Sequence, residues 1–323
     1  MATLWIDRKD SELRMDGESL VPYMAGTRGR PVPLRILERV IIVGNCHLQA
    51  AALAALAAAG VAVAIVSPRD GQRRAWLMGP GHGGARLRLS HLAAAMKRDF
   101  ARREAHGLIM AKVRRQRRLV CAMLARRPDA AYDLSRAVQI LDTILSTLEE
   151  AEGLTRASLR GLEGTASRIT FETLAAVLPP VLEFSGRKRR PPPDPVNAAL
   201  SLAYTILHHR AAQVAWAHGL DPLIGFFHEP SHGRESLAAD LMEPWRPPIE
   251  EWVWRLFADR KLRKEHFHQI AGGAQKRPGC YLGKAGRRIF YESFENALAP
   301  LGRALRLQVR ALVRRIREHA DDA

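Results

Sequence analysis

Residues 236–247 read SLAADLMEPWRP. Asp240 and Glu243 stand three apart in an otherwise apolar stretch, so a helix over Leu237 to Glu243 puts both carboxylates on one face. Such a pair has two readings. It is the edge of a solvated helix, or it is part of a cation site that draws more ligands from elsewhere. Candidate partners lie upstream. His228 ends the aromatic turn GLDPLIGFFHEP, and Glu163 lies between Gly161 and Gly164 in RGLEGTASR, with Arg160 and Arg168 nearby. A histidine beside two phenylalanines is also an ordinary packed core residue. A glutamate in a helical pattern is also an ordinary surface residue.

The acids stand out because the chain around them is basic. Its 323 residues carry 50 Lys+Arg against 33 Asp+Glu, a formal charge of +17. Such an excess suits an acidic partner, nucleic acid before an anionic membrane. Arg303, Arg306, Arg310, Arg314 and Arg317 recur at helical spacing opposite a stripe of Leu305, Val309, Leu312 and Ile316. That pattern is an amphipathic helix with an arginine face, either solvated or a phosphate track. KVRRQRR (112–118) and the linker cluster Arg187, Lys188, Arg189 and Arg190 add basic patches, and Arg234 and Arg246 are further candidates for DNA contact. Cys46, Cys121 and Cys280 are too few and too scattered for a disulfide framework or a cysteine zinc site.

The elements that must carry these residues fall into two groups. The first 80 or so residues have β character: LWID, ELRMDG, SLVPYM, RVIIVG, VAVAIVS and RRAWLMG are short runs bounded by turn residues, with an Ala/Leu helix at about 47–59. A turn is expected at Pro68 to Gly71. GPGHGG at 79–84 is the best boundary, and it lacks the pattern of a phosphate-binding loop. Beyond it, helices are expected at about 86–127, 132–150, 155–178, 195–218, 237–257 and 293–319. Asp194 can cap the helix after PPPDP, Pro195 suits its first turn, and Gly219 can end it. The expected fold is therefore α+β: a small N-terminal β domain (1–84), then a larger all-α catalytic domain (85–323). The run Ala50 to Val66 is split by Gly60 and reads as helix then strand, not as a membrane span. MATLWIDRKD has charges where a secretory signal needs an apolar core, so the cytoplasm is the expected compartment.

RGLEGTASRITF, DPVNAALSLAYTIL, GLDPLIGFFHEP and SLAADLMEPWRP follow one another in the order and spacing of the CRISPR adaptation integrase family. This is the larger of the two universal Cas proteins that acquire spacers. The stretch RVIIVGNCHLQAAALAALAAAGVAVAIVS also resembles that family's β domain, so the resemblance covers nearly the whole chain. Carried over, it implies a metal triad of Glu163, His228 and Glu243, with Asp240 as an additional acid beside the metal. Two positions depart from the usual pattern. Thr170 stands where an aromatic often precedes the phenylalanine, and Pro244 stands where an acid often follows Glu243; proline also biases Glu243 away from regular helix.

Two carboxylates and an imidazole suit Mg²⁺ or Mn²⁺, the latter more tolerant of nitrogen, and Zn²⁺ accepts the same set. The resemblance further implies joining of a DNA 3′-OH to a phosphodiester at a repeat boundary. It implies a homodimer, with two dimers bridged by the small universal Cas partner. A nuclease on branched or single-stranded DNA, and a non-catalytic nucleic-acid scaffold, are the alternatives.

Overall fold

The computed structural model describes all residues except 1, 9, 68–72, 80–83, 152, 189–190, 272–278 and 322–323. The expected turn at 68–71, the centre of GPGHGG, and Arg189 and Arg190 therefore lie outside the described residues. The fold is α+β and forms two compact units: 1–84 with 216–219, and 85–215 with 220–323.

The first unit contains two sheets. One has the order β1 (Ala2–Ile6), β6 (Leu37–Val43), β8 (Ala62–Val66), β9 (Arg73–Leu77). The first three strands run parallel and β9 is antiparallel to β8. A parallel pair needs a crossover, and α1 (Ala50–Ala58) supplies it between β6 and β8. β6 is buried at nearly every position, as a central strand covered on both faces should be. The second sheet is built on the hairpin β2 (Ser11–Asp16) and β3 (Ser19–Met24), which turns at Gly17 with φ +57°. Short strands β4 (Thr27–Arg28), β5 (Val32–Pro33) and β7 (Cys46–Leu48) extend it. Leu13, Leu20, Ile6, Val40, Ile42, Ala52 and Leu56 form one core.

Among its described residues the second unit is built of helices apart from one hairpin. α2 (Ala85–Met96) and α3 (Arg98–Arg126) replace the single helix expected at 86–127. The chain breaks at Lys97, whose backbone is extended at φ −78°, ψ 110°, and Asp99 then stabilises the new N-terminus. α4 (Ala131–Glu150), α5 (Arg156–Val177) and α6 (Pro195–Ala217) follow. The Thr155 side chain accepts the Ser158 amide at 3.1 Å to cap α5. Asp194 accepts the Asn197 amide at 2.8 Å to cap α6.

The helix expected at 237–257 is α7 (Ser236–Met242), a 3₁₀ turn (Glu243–Trp245) and α8 (Arg246–Ala258). Pro244, Pro247 and Pro248 cannot donate to a continuous α-helical ladder, so the segment tightens there instead. α9 (Lys284–Asp321) starts nine residues before the expected 293 and runs through Pro300. The exception to the all-helical expectation is the hairpin β10 (Phe267–Ile270) and β11 (Gly279–Leu282). Among the described residues, no helix is long and apolar enough to cross a membrane.

Candidate functional site

Four segments of the second unit meet at one cluster of charges. α5 brings Glu163, the 3₁₀ turn after α7 brings Glu243, α7 brings Asp240, and the loop after α6 brings His228. α7 is buried at every position, so the apolar stretch that frames Asp240 and Glu243 is core. Asp240 is fully buried and Glu243 is 4% exposed. The solvated-face reading of this acid pair therefore does not hold.

Glu163 and Glu243 converge on a residue that sequence reasoning assigned elsewhere. Lys112 Nζ donates to Glu243 Oε2 at 2.6 Å and also to Glu163 Oε1. Its side chain is 4% exposed. Burial works against the ammonium, but the charges of Glu243 and then Glu163 outweigh it and hold its pKa above the usual lysine value. Ser167 Oγ donates to Glu163 Oε1 at 2.8 Å from one turn along α5, and Gln116 Nε2 reaches that Oγ at 3.2 Å.

The other oxygen of Glu243 faces Arg246 Nε at 3.0 Å. Burial opposes ionisation of Glu243, yet Arg246, Lys112 and the nearby His228 together pull its pKa down to about 2. Its backbone is right-handed helical at φ −53°, ψ −47°, so the proline that follows does not turn it away. Behind it, Tyr204 donates to buried Glu250, and the Arg246 guanidinium lies 4.9 Å from the centre of the Tyr204 ring.

Asp240 has a different job. Its Oδ2 accepts the amides of Phe226 at 2.6 Å and Phe227 at 2.9 Å; its Oδ1 accepts the His228 amide at 2.9 Å and His228 Nδ1 at 2.6 Å. The carboxylate ties the loop to α7 and fixes the imidazole. Because a carboxylate only accepts, Nδ1 carries the proton and the lone pair of the neutral ring is on Nε2. Gly225 allows the close approach: a Cβ there would lie 2.8 Å from Asp240 Oδ2 and 2.9 Å from the His228 carbonyl oxygen. The site of Thr170 explains its type. It is wholly buried on α5 and its hydroxyl is satisfied by the Ala166 carbonyl at 2.8 Å.

Among the described residues, no group of three or more His, Cys, Asp or Glu side chains stands ready-made at metal-binding distance. What is assembled is a pair of carboxylates around an ammonium, beside a histidine held by a third acid.

His91 on α2 supports the same loop. It is fully buried, its ring lies 5.6 Å from Phe226, and its Nδ1 accepts the Asp221 amide at 3.3 Å. Burial lowers its pKa to about 4, against the smaller pull of the Ile224 backbone and Asp221. In the unfolded chain the ring takes a proton near its ordinary value of 6.5. Between the two values the unfolded state binds the extra proton, so acidification favours unfolding; the loss begins below 6.5 and levels off below about 4. The expected cost is roughly 3 kcal/mol at the acid end. Thermal melts at a series of pH values should show it, and His91→Gln should flatten that part of the profile.

The basic patches divide. In KVRRQRR, Lys112 is internal, Arg114 pairs with Glu149 at 2.9 Å, Arg117 pairs with Asp142, and Arg115 lies 4.1 Å from the centre of the Trp245 ring. Lys112 alone of its basic residues is buried; Arg114 and Arg117 are held in surface ion pairs, and Arg118 is exposed. Arg187 is also tied down, donating to Asn197 Oδ1 at 2.8 Å and Ser201 Oγ at 3.0 Å, while Lys188 is exposed. Arg246 belongs to the charge cluster, and Arg234 is exposed. On α9, Arg303, Arg310, Arg314 and Arg317 are exposed and Arg306 is half-buried, while Leu305, Val309, Leu312 and Ile316 are buried.

Sequence reasoning missed Lys112, Tyr204 and Glu250 as members of the cluster. For Lys112 a signal existed. Ile109, Val113, Gln116 and Val120 trace the buried stripe of α3, and residue 112 falls on it.

A family model described as CRISPR associated protein Cas1 matches residues 4–296. The chain is 36% identical to CRISPR-associated endonuclease Cas1 1 of Thermodesulfovibrio yellowstonii over 321 residues, 99% of both chains. It is 31% identical to CRISPR-associated endonuclease Cas1 2 of Rhodospirillum rubrum, over 99% of this chain and 96% of that one. A casposase bound to integration product has the same fold, with a TM-score of 0.81 and 22% identity over 98% of this chain and 90% of that one. So does a chain of a Cas6-RT-Cas1–Cas2 complex, at 0.82 and 23%, where this chain covers 98% of itself and 35% of that longer chain.

Proposed function

This chain belongs to the family of CRISPR-associated Cas1 proteins, and on that premise we propose that it is a metal-dependent DNA endonuclease and integrase of CRISPR adaptation. The observation that carries the reading is the convergence of Glu163 and Glu243 on a single cation, next to a histidine whose free lone pair is on Nε2. Lys112 Nζ is a stand-in ion: it marks a position where two carboxylates from different helical segments share one positive charge. A donor set of two carboxylates and an imidazole nitrogen fits Mg²⁺ or Mn²⁺.

In this reading Glu163, Glu243 and His228 Nε2 hold the divalent ion, and Asp240 fixes the tautomer and direction of His228. A divalent ion held by these residues would supply polarisation of a phosphodiester oxygen and a lowered pKa for an attacking hydroxyl. The DNA 3′-OH forms the new oxygen–phosphorus bond and gives up its proton to solvent; the bond from phosphorus to the 3′ oxygen of the cut strand breaks, and that oxygen takes a proton from solvent to become a new 3′-OH. No protein nucleophile is used. The exposed arginines of α9 bind backbone phosphates and set the strand in line.

The reading includes a homodimer, with the N-terminal unit as its contact surface, two copies of which flank a dimer of the small universal Cas partner. A chain of like fold solved in a complex named for Cas2 supports that partner.

The test is strand joining. Protein with and without its small partner is incubated with a 3′-OH duplex and a supercoiled repeat plasmid in Mn²⁺. Joined product supports integration, cleavage without joining reduces the reading to a nuclease, and neither product removes both. Binding to the same duplex should weaken steeply between about 50 and 200 mM salt, with a log–log slope of roughly −0.9 per neutralised phosphate. Replacing Arg310 and Arg317 by alanine should make that slope shallower by close to 2 if each contacts one phosphate. An unchanged slope would take α9 out of the DNA interface.

A further inference from the structure

The cation position between Glu163 and Glu243 is filled by a residue of the chain. The Lys112 stem leaves the buried face of α3, and its ammonium reaches both carboxylates. Glu243 uses its two oxygens differently. Oε1 faces Arg246 at 3.0 Å, and Oε2 accepts from Lys112 at 2.6 Å. Arg246 pairs with Glu243 alone in this bridge, whereas Lys112 lies between the two acids.

An ammonium this close to both carboxylates occupies the oxygen lone pairs that a divalent ion needs. Mg²⁺ takes its oxygens at about 2.0–2.1 Å in a near-octahedral shell, so it cannot share that position with a lysine. Two like charges a few ångströms apart also repel strongly in a site this dry.

We propose that Lys112 is a resident counter-ion that holds Glu163 and Glu243 together in the metal-free protein and must leave the bridge for the divalent ion to enter. The inference rests on the metal reading above. Arg246 keeps its hold on Glu243 Oε1 throughout, so the carboxylate stays aimed while Oε2 changes partner. Lys112 thereby preserves the site before loading and lowers its affinity for the ion.

The test uses full-length wild type, Lys112→Met and Glu163→Gln, with Mn²⁺ binding measured by titration calorimetry and thermal melts with and without Mn²⁺. Methionine keeps the length of the stem and removes the charge. Lys112→Met should melt lower than wild type without metal, gain more from Mn²⁺, and bind Mn²⁺ more tightly by roughly 10-fold or more. Equal or weaker Mn²⁺ binding by Lys112→Met, with wild type binding normally and Glu163→Gln not, overturns this inference alone. If neither wild type nor Lys112→Met binds Mn²⁺, the metal reading falls with it.

A second measurement needs no variant. Reductive methylation of wild type, read by peptide mass spectrometry, should find Lys112 protected without divalent ion and modified faster in saturating Mg²⁺. Protection that Mg²⁺ leaves unchanged overturns the displacement.

Discussion

Glu163→Gln should abolish metal-dependent cleavage and joining, by at least about 1,000-fold, while leaving the fold and most DNA affinity in place. The separation of effects comes from burial. The Glu163 side chain is 23% exposed and keeps Ser167 as a hydrogen-bond partner through its amide, so the loss of one charge is partly met by water. Glu243→Gln should be equally inactive but much less stable. Its side chain is 5% exposed and faces both Lys112 and Arg246, so the neutral amide leaves a buried ammonium and a partly buried guanidinium with one fewer anion. Breaking a buried pair from one side typically costs about 3–5 kcal/mol. Joining assays, melts and binding at fixed salt on the same preparations separate the two variants. More than a tenth of wild-type joining by Glu163→Gln would remove it from the metal site.

Asp240→Asn should unfold the His228 loop rather than merely weaken the metal. All four contacts of Asp240 come from N–H donors, two on each oxygen. An asparagine must turn its own NH₂ toward one pair of them, whichever way it is flipped. It therefore loses acceptors and sets donor against donor in a fully buried place. Hydrogen bonds to a charged group are each worth about 1.5–3 kcal/mol, so a melting temperature many degrees lower is expected. Activity should fall about 10–100-fold where the protein remains folded, because His228 is no longer oriented, and high Mn²⁺ should restore part of it. An Asp240→Asn protein with wild-type stability would mean that the four contacts carry little weight. One with no activity at any Mn²⁺ concentration would promote Asp240 to a ligand.

The sequence spoke most clearly where local chemistry decides structure. The start of α6 was legible because Asp194 and Pro195 act within their own turn. The strands of the first sheet were legible because β-branched runs between turn residues have few other uses. β10 and β11 were not, because they are four residues each and β10 is only half-buried, so no apolar alternation marks it. The break at Lys97 also had no glycine or proline to announce it. In the site, Glu163, His228, Asp240 and Glu243 were found through the order of four motifs, and no spacing rule alone would have joined them. Lys112 was hidden in a run of like charges. A count of basic residues cannot say which one points inward, whereas the apolar stripe on either side of it can.

The bridge between Lys112 and Glu243 spans 131 positions of the chain, and that between Lys112 and Glu163 spans 51. Closing a loop of that length is entropically costly and waits for the helices between to pack. During synthesis, α3 and α5 can form their half of the bridge first, with Glu163 and Lys112 neutralising each other. Glu243 emerges from the ribosome only much later, and Asp240 with it. A nascent or truncated chain that ends before α7 therefore carries the arginines of KVRRQRR but lacks Asp240 and Glu243 of the charge cluster. On the proposed function, the order of the sequence itself delays DNA-cutting competence until the second unit has closed.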